Sequence, residues 1–211
     1  TGQLLTVKSA EVMDLDEDAF RAGQVKASCY GYMNVPVDEQ RMQAMKQGGV
    51  DTESLVLQDI AADFIDNMQD DVLYLIGSGT TTAALMESLG LDNTLLGIDA
   101  IFNGELVASD LAERDILSLL DEEAYTSAKI VVTAIGGQGH VFGRGNQQFS
   151  PAVIRRVGSD NIVVVATRNK LRSLEGRPLR VDTGDTGLDA ELAGMKQIIT
   201  GYEQRTLYRI G

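Results

Sequence analysis

Two stretches of the chain bring glycine, hydroxyl and amide side chains together in a way suited to holding an anion. The first is Gly77-Ser78-Gly79-Thr80-Thr81-Thr82, which separates an apolar run from a helical one. Glycine permits a tight turn and close ligand approach, while Ser78 and the threonines add hydroxyls beside the free N–H groups of a helix start. The same residues would also serve a plain capped turn. Open α/β sheets bind ligands at the carboxyl ends of their strands, which favours a phosphate here. The second stretch, residues 135–150, reads IGGQGHVFGRGNQQFS and holds Gly136, Gly137, Gly139, Gly143 and Gly145. Five glycines cost backbone entropy, and a merely structural connection seldom carries so many beside a cation and amides. Arg144 is suited to bidentate phosphate binding, and Gln138, Asn146 and Gln147 to reading hydroxyls or a base edge. His140 is either an acid or base, or an orienting donor.

Carboxylates form a third group. Asp99 ends the run LLGID, on the same sheet edge as the two glycine turns, and is a candidate to order a ribose, a metal or a catalytic hydroxyl. Asp182, in VDTGD, is a further ligand candidate, ahead of Asp110, Glu113 and Asp185; with 31 acids in the chain, most are solvated or act as caps. The catalytic candidates are thus Asp99 and His140, and no residue is assigned to a metal. The sequence contains no G-x-x-x-x-G-K-[ST], no G-x-S-x-G and no H-E-x-x-H, which weakens the triphosphatase-loop, hydrolase and metalloprotease readings.

The elements that must position these residues follow from periodicity. Apolar positions at three- and four-residue spacing from Leu55 to Met68 predict an amphipathic helix. After Asp71 the pattern alternates: strand VLYLIG, helix TTTAALMESLG, strand TLLGIDAIF, helix LAERDILSLLD, strand KIVVTAIGG, helix SPAVIRRVG, strand NIVVVAT. Near-continuous apolar strands between amphipathic helices predict an α/β fold, a largely parallel sheet with helices on both faces. A short helix LDAELAG and one mixed strand, KQIITGYEQRTLYRI, complete it. The first fifty residues differ in texture. QLLTVKSAEVMDL and QVKASCYGYMNV read as strands flanking an acidic turn or helix, LDEDAFRAG, with Pro36 closing the second strand; VDEQRMQAMKQG reads as a short helix. The expected organisation is a β-rich arm or interdomain remnant over 1–50 and an α/β ligand-binding domain over 51–211.

Composition narrows the function. The net charge of −13 disfavours nucleic acid and anionic membrane, yet a helix start and a few placed cations hold one phosphate regardless of net charge. Cys29 is the sole cysteine and His140 the sole histidine, so an internal disulfide framework and a Cys/His zinc cluster drop out. The absence of a signal-like start or a long apolar run predicts a cytoplasmic protein, and the exposed edges of parallel sheets predict a homo-oligomer.

GSGTTTAAL, LLGIDAIFNGEL, GGQGHVFGRGNQQFSP, NIVVVATRNKL and RPLRVDTGD, in that order, resemble a bacterial and archaeal family of predicted ATP-NAD kinases that includes an acetoin-catabolism-associated member. The likeness runs from about Glu11 to Tyr202. It implies phosphoryl transfer to the 2′-hydroxyl of the adenosine ribose of NAD, with ATP or polyphosphate as donor and Mg2+. It also implies a two-domain protein of which this chain is the carboxyl-terminal portion. NAD kinases carry a G-G-D-G-T motif in an upstream domain, and the similar-looking IGGQG has Gln138 where the central aspartate would stand, so that role is not carried over. GSGTTTAAL is loosely similar to their T-G-S-T-A-Y substrate motif.

Two rival readings remain open. The G-x-G-T turn followed by an acidic residue also resembles ribose-5-phosphate isomerases and sugar-phosphate sensors, with Asp99 or Asp110 moving the proton and Thr80 and Thr81 on the phosphate. The lack of a tight acid–base pair suits a non-catalytic sensing or oligomerisation module instead.

Overall fold

The computed structural model describes residues 6–15, 27–37, 50–135 and 137–211. The chain divides into two units, Thr1–Thr52 and Glu53–Gly211. In the first, β1 (Thr6–Leu15) and β2 (Ala27–Val37) pair antiparallel with an irregularity between Val12 and Met13. Pro36 lies one residue before the end of β2. The expected elements LDEDAFRAG and VDEQRMQAMKQG fall largely outside the described residues.

The second unit is built on a seven-stranded sheet. Its strands are β3 (Leu73–Ile76), β4 (Ile98–Phe102), β5 (Glu105–Leu111), β6 (Ala128–Thr133), β7 (Ile162–Val165), β8 (Gly194–Gly201) and β9 (Gln204–Ile210), in the spatial order β5-β4-β3-β6-β7-β8-β9. The central four, β3, β6, β7 and β8, run parallel; the β4–β5 hairpin extends the sheet on one side, with β4 antiparallel to β3, and β9 alone, antiparallel to β8, closes the other. Of the parallel strands, β3, β6 and β7 are apolar at most positions because both faces are covered, while β8 is buried only over its second half. Alternation splits the core in two. On one face Tyr74, Ile76, Val131 and Val165 pack on α1 (Val50–Asp66) and α2 (Thr80–Leu89) through Ile60, Phe64, Leu85 and Met86. On the other, Leu73, Leu75, Ile130 and Val132 meet Ile116 of α3 (Glu113–Leu120), Ile154 of α4 (Pro151–Val157), Leu171 of α5 (Arg168–Ser173) and Leu188 of α6 (Thr186–Leu192).

Helix ends are set by local chemistry. Pro151 follows the Ser150 cap of α4, Thr167 caps α5 through the Lys170 amide, and Asp185 caps α6 by accepting from Gly187 and Leu188. Arg155 donates to the other Asp185 oxygen at 2.8 Å, and with those amide bonds this holds the carboxyl below the usual aspartate range. An ion pair at 2.7 Å between buried Asp63 and exposed Arg205 ties α1 to the β8–β9 hairpin.

Three expectations need correction. TLLGIDAIF is strand only from Ile98, because Leu95–Gly97 bends; its strand runs antiparallel to β3, pairing Asp99 with Ile76. A strand not foreseen, β5, follows it across an Asn103-Gly104 turn whose φ values of 50° and 79° match the primed hairpin turn, for which Asn-Gly is the preferred pair. The single terminal strand is instead the hairpin β8–β9, turning at Tyr202-Glu203.

Candidate functional site

Three neighbouring parallel strands, β3, β6 and β7, end on one edge of the sheet, and each hands the chain to a segment lining one crevice. After β3 come Gly77, Ser78 and Gly79, then α2. Gly79 has φ 137°, and a Cβ there would collide with Thr133 Cγ2 at the end of β6, so the position admits only glycine without rearrangement. Nothing from a side chain caps α2. Its first amides therefore point outward unclaimed by a capping group, with the positive end of the helix behind them.

After β6 comes the long glycine loop. Ile135 and His140 exchange main-chain hydrogen bonds, 2.8 and 3.1 Å, which closes its first turn. Phe142 and Phe149 meet edge to face, their ring centres 6.2 Å apart, and root its second half in the core. Fully buried Asn146 joins this loop to the first: Oδ1 accepts from the Ser78 amide at 3.1 Å, and Nδ2 donates to the Val141 carbonyl at 3.2 Å. Ser78 Oγ donates to the Gly145 carbonyl at 2.6 Å. The two glycine stretches are thus physically latched, and Ser78, Gly145 and Asn146 act inside the latch rather than at an open surface.

After β7, Thr167 starts α5, and Lys170 reaches back over α2. Its Nζ donates to Thr80 Oγ1 and Thr81 Oγ1, both at 3.0 Å. Burial pushes this ammonium below the usual lysine range, opposed by the charge of Glu53. Between these segments lies a cavity of about 380 Å3 lined by Gly79, Thr80, Ala134, Ile135, Gly137, Lys170, Ser173 and Leu174.

The cavity therefore brings together Gly79, Thr80 and Gly137 of the sequence candidates, with Thr81 tied to it through Lys170. Thr82 is buried and donates to the Gly79 carbonyl at 2.9 Å. Gln138 is exposed and lies 3.3 Å from Nε2 of His140; that ring is only 8% exposed, and its Nδ1 has no partner among the described residues. Gly139 is buried beneath Leu174. Gly143 packs on the Asp182 carbonyl so tightly that a Cβ would overlap it. Arg144, Gln147 and Asp182 are exposed and absent from the cavity lining. Gly136 lies outside the described residues.

Asp99 is on the expected edge, for a different reason: its strand is antiparallel, so its start, not its end, adjoins the end of β3. The carboxylate is buried and accepts from the Thr94 amide and hydroxyl, each at 2.7 Å, and from the Asp110 amide at 3.1 Å. It fastens the 94–97 bend to the β4–β5 irregularity.

Lys170, Glu53, Thr133 and Ser173 were not singled out from the sequence. A signal for Lys170 existed: a cation in TRNKL just past the apolar run NIVVVA, the same strand-end position that marked the glycine turns.

The arrangement gathers donor groups of the kind that bind an anion. It offers helix amides, two threonine hydroxyls and a lysine that forms no ion pair with a carboxylate among the described residues. Among the described residues no carboxylate lines the cavity. Among the described residues no group of three or more His, Cys, Asp or Glu could hold a metal ion, so they form no all-protein cage for Mg2+. No helix among the described residues is long and apolar enough to cross a membrane.

Fold and crevice together define an α/β domain with a glycine-, hydroxyl- and lysine-lined crevice at the carboxyl ends of parallel strands. The chain belongs to the ATP-NAD kinase C-terminal domain family, whose model matches residues 69–210. That family is one of NAD kinase-like transferases. No curated protein and no solved structure matches the chain.

Proposed function

We propose that this chain is the nucleotide-holding half of an NAD kinase-like phosphotransferase. The amides of α2, the hydroxyls of Thr80 and Thr81 and the Lys170 ammonium grip the phosphates of NAD or of the donor, ATP or polyphosphate. The observation that carries the reading is Lys170 Nζ poised 3.0 Å from both threonine hydroxyls at an uncapped helix start, inside a crevice at three strand ends. Phosphoryl transfer depends mostly on positioning and charge stabilisation, and this chain supplies both.

In this reading Asp99 is a fastening for the crevice rim, because both its oxygens are engaged by Thr94 and the Asp110 amide and the residue is buried. His140 sits behind the loop rather than in the cavity wall. The group that accepts the proton of the ribose hydroxyl then comes from an upstream domain, as does the carboxylate that meets any donor-bound Mg2+. NAD, the donor nucleotide and that upstream domain are the partners, and NADP is the product.

The test is NADP formation from NAD and ATP or polyphosphate, assayed with this chain joined to its upstream half, alongside binding of NAD, ATP and ribose 5-phosphate to the chain alone. Nucleotide binding together with NADP formation upholds the proposal. Tight ribose 5-phosphate binding without nucleotide binding moves the assignment to the sugar-phosphate isomerase or sensor class.

A further inference from the structure

A second cavity, of about 410 Å3, opens on the other side of α5, between that helix and β9, and is lined by Arg168, Leu171, Arg172, Gly176, Thr206 and Tyr208. Its charge is unlike that of the rest of the molecule. The segment 168–180 holds Arg168, Lys170, Arg172, Arg177 and Arg180, five of the 18 lysines and arginines, against the single acid Glu175, in a chain whose net charge is −13. Such segregation concentrates positive potential where the chain as a whole repels anions. Arg168 and Arg172 are one helical turn apart and so project on the same side of α5. Both are exposed, and neither forms an ion pair with the described residues.

The wall opposite them is fixed. Tyr208 donates its hydroxyl to the Arg177 carbonyl at 2.9 Å and lies 3.3 Å from the Leu171 carbonyl, which pins the ring between α5 and the strand carrying Thr206. A pair of guanidinium forks facing a hydroxyl and a partly apolar wall suits one phosphate group attached to a small organic body. The volume falls within the range of small-molecule sites.

We propose that this cavity is a second, separate anion site that takes a phosphate monoester of a small molecule, with the phosphate clamped by Arg168 and Arg172. The two cavities are served by one six-residue helix, α5, which presents Lys170 to the first and the two arginines to the second.

The test is a titration of the 15N-labelled full chain with AMP and, separately, with ribose 5-phosphate, following the side-chain Nε–Hε signals of Arg168 and Arg172. The expected result is a saturable shift of both signals with at least one probe, persisting in Lys170→Gln. In the Arg168→Gln/Arg172→Gln double variant, calorimetry shows that binding step weakened about tenfold or more. Both side chains are exposed, so the variant should keep the wild-type melting temperature, which is checked in parallel. Arginine signals that do not move, or a double variant that binds both probes as wild type does, would overturn the proposal. Loss of the shifts in Lys170→Gln would assign the anion to the first cavity and overturn it equally. AMP binding alone identifies a nucleoside phosphate as the ligand class, and ribose 5-phosphate binding a sugar phosphate; either upholds the clamp.

Discussion

Lys170 carries a charge that folding partly removes from water, and the pH dependence follows from that. Its folded pKa lies below the ordinary 10.5, so between the two values the unfolded chain binds more protons than the folded one. Below the lowered value the buried ammonium opposes folding in full; the opposition fades as pH rises towards 10.5. Lys170→Met should therefore gain most in melting temperature, relative to wild type, near neutral pH. Thermal melts across a pH series should show that advantage shrink on the alkaline side, whereas one that grew would mean the folded pKa is raised. Asp99 makes the opposite kind of case. An aspartate near a strand end beside a glycine turn was legible as a candidate, but nothing in LLGID announced that Thr94 and the Asp110 amide would occupy its oxygens. Asp99→Asn turns one acceptor into a donor facing the Thr94 amide. It should cost about 1–3 kcal/mol in urea unfolding while leaving nucleotide affinity close to wild type; lost activity without lost stability would restore a chemical role.

At the level of elements, the parallel centre was legible because strands buried on both faces must be apolar throughout, and VLYLIG, KIVVTAIGG and NIVVVAT are. The edges were not. In β5 only Leu106, Ala108 and Leu111 approach the core, so it lacks the apolar run of a buried strand, and the Asn103-Gly104 turn was the sign that stood in the sequence. The β8–β9 hairpin was hidden by a turn of Tyr202 and Glu203, with Glu203 at φ 51° and no Asn-Gly pair to mark it. The latch between the glycine loops rests on Asn146, read from the sequence as a ligand reader and found fully buried, bridging Ser78 to Val141. Asn146→Ala strands the Ser78 amide and the Val141 carbonyl. The predicted loss is about 1–3 kcal/mol by urea titration, accompanied by weaker nucleotide binding as the two loops separate. A variant of unchanged stability would remove the latch from this account.

Across the whole molecule, three strand ends that are distant in sequence make one crevice. Lys170 lies 89 residues from the Thr81 hydroxyl it meets, a pairing set by the order β3-β6-β7, which no local pattern encodes. Local chemistry revealed the anion-receptive turns, while topology chose which cation answers them: Arg144, the cation inside the glycine loop, faces outward, and α5 supplies the one that lines the cavity. Membership of the ATP-NAD kinase C-terminal domain family agrees with the proposal that this crevice takes phosphates. The most direct measurement is calorimetric titration of the chain with NAD and with ATP, repeated for Lys170→Gln. Binding of at least one nucleotide that weakens about tenfold or more in the variant is the predicted result. Equal affinity in wild type and Lys170→Gln, or no nucleotide binding by wild type, would contradict the assignment of this crevice to nucleotide phosphates.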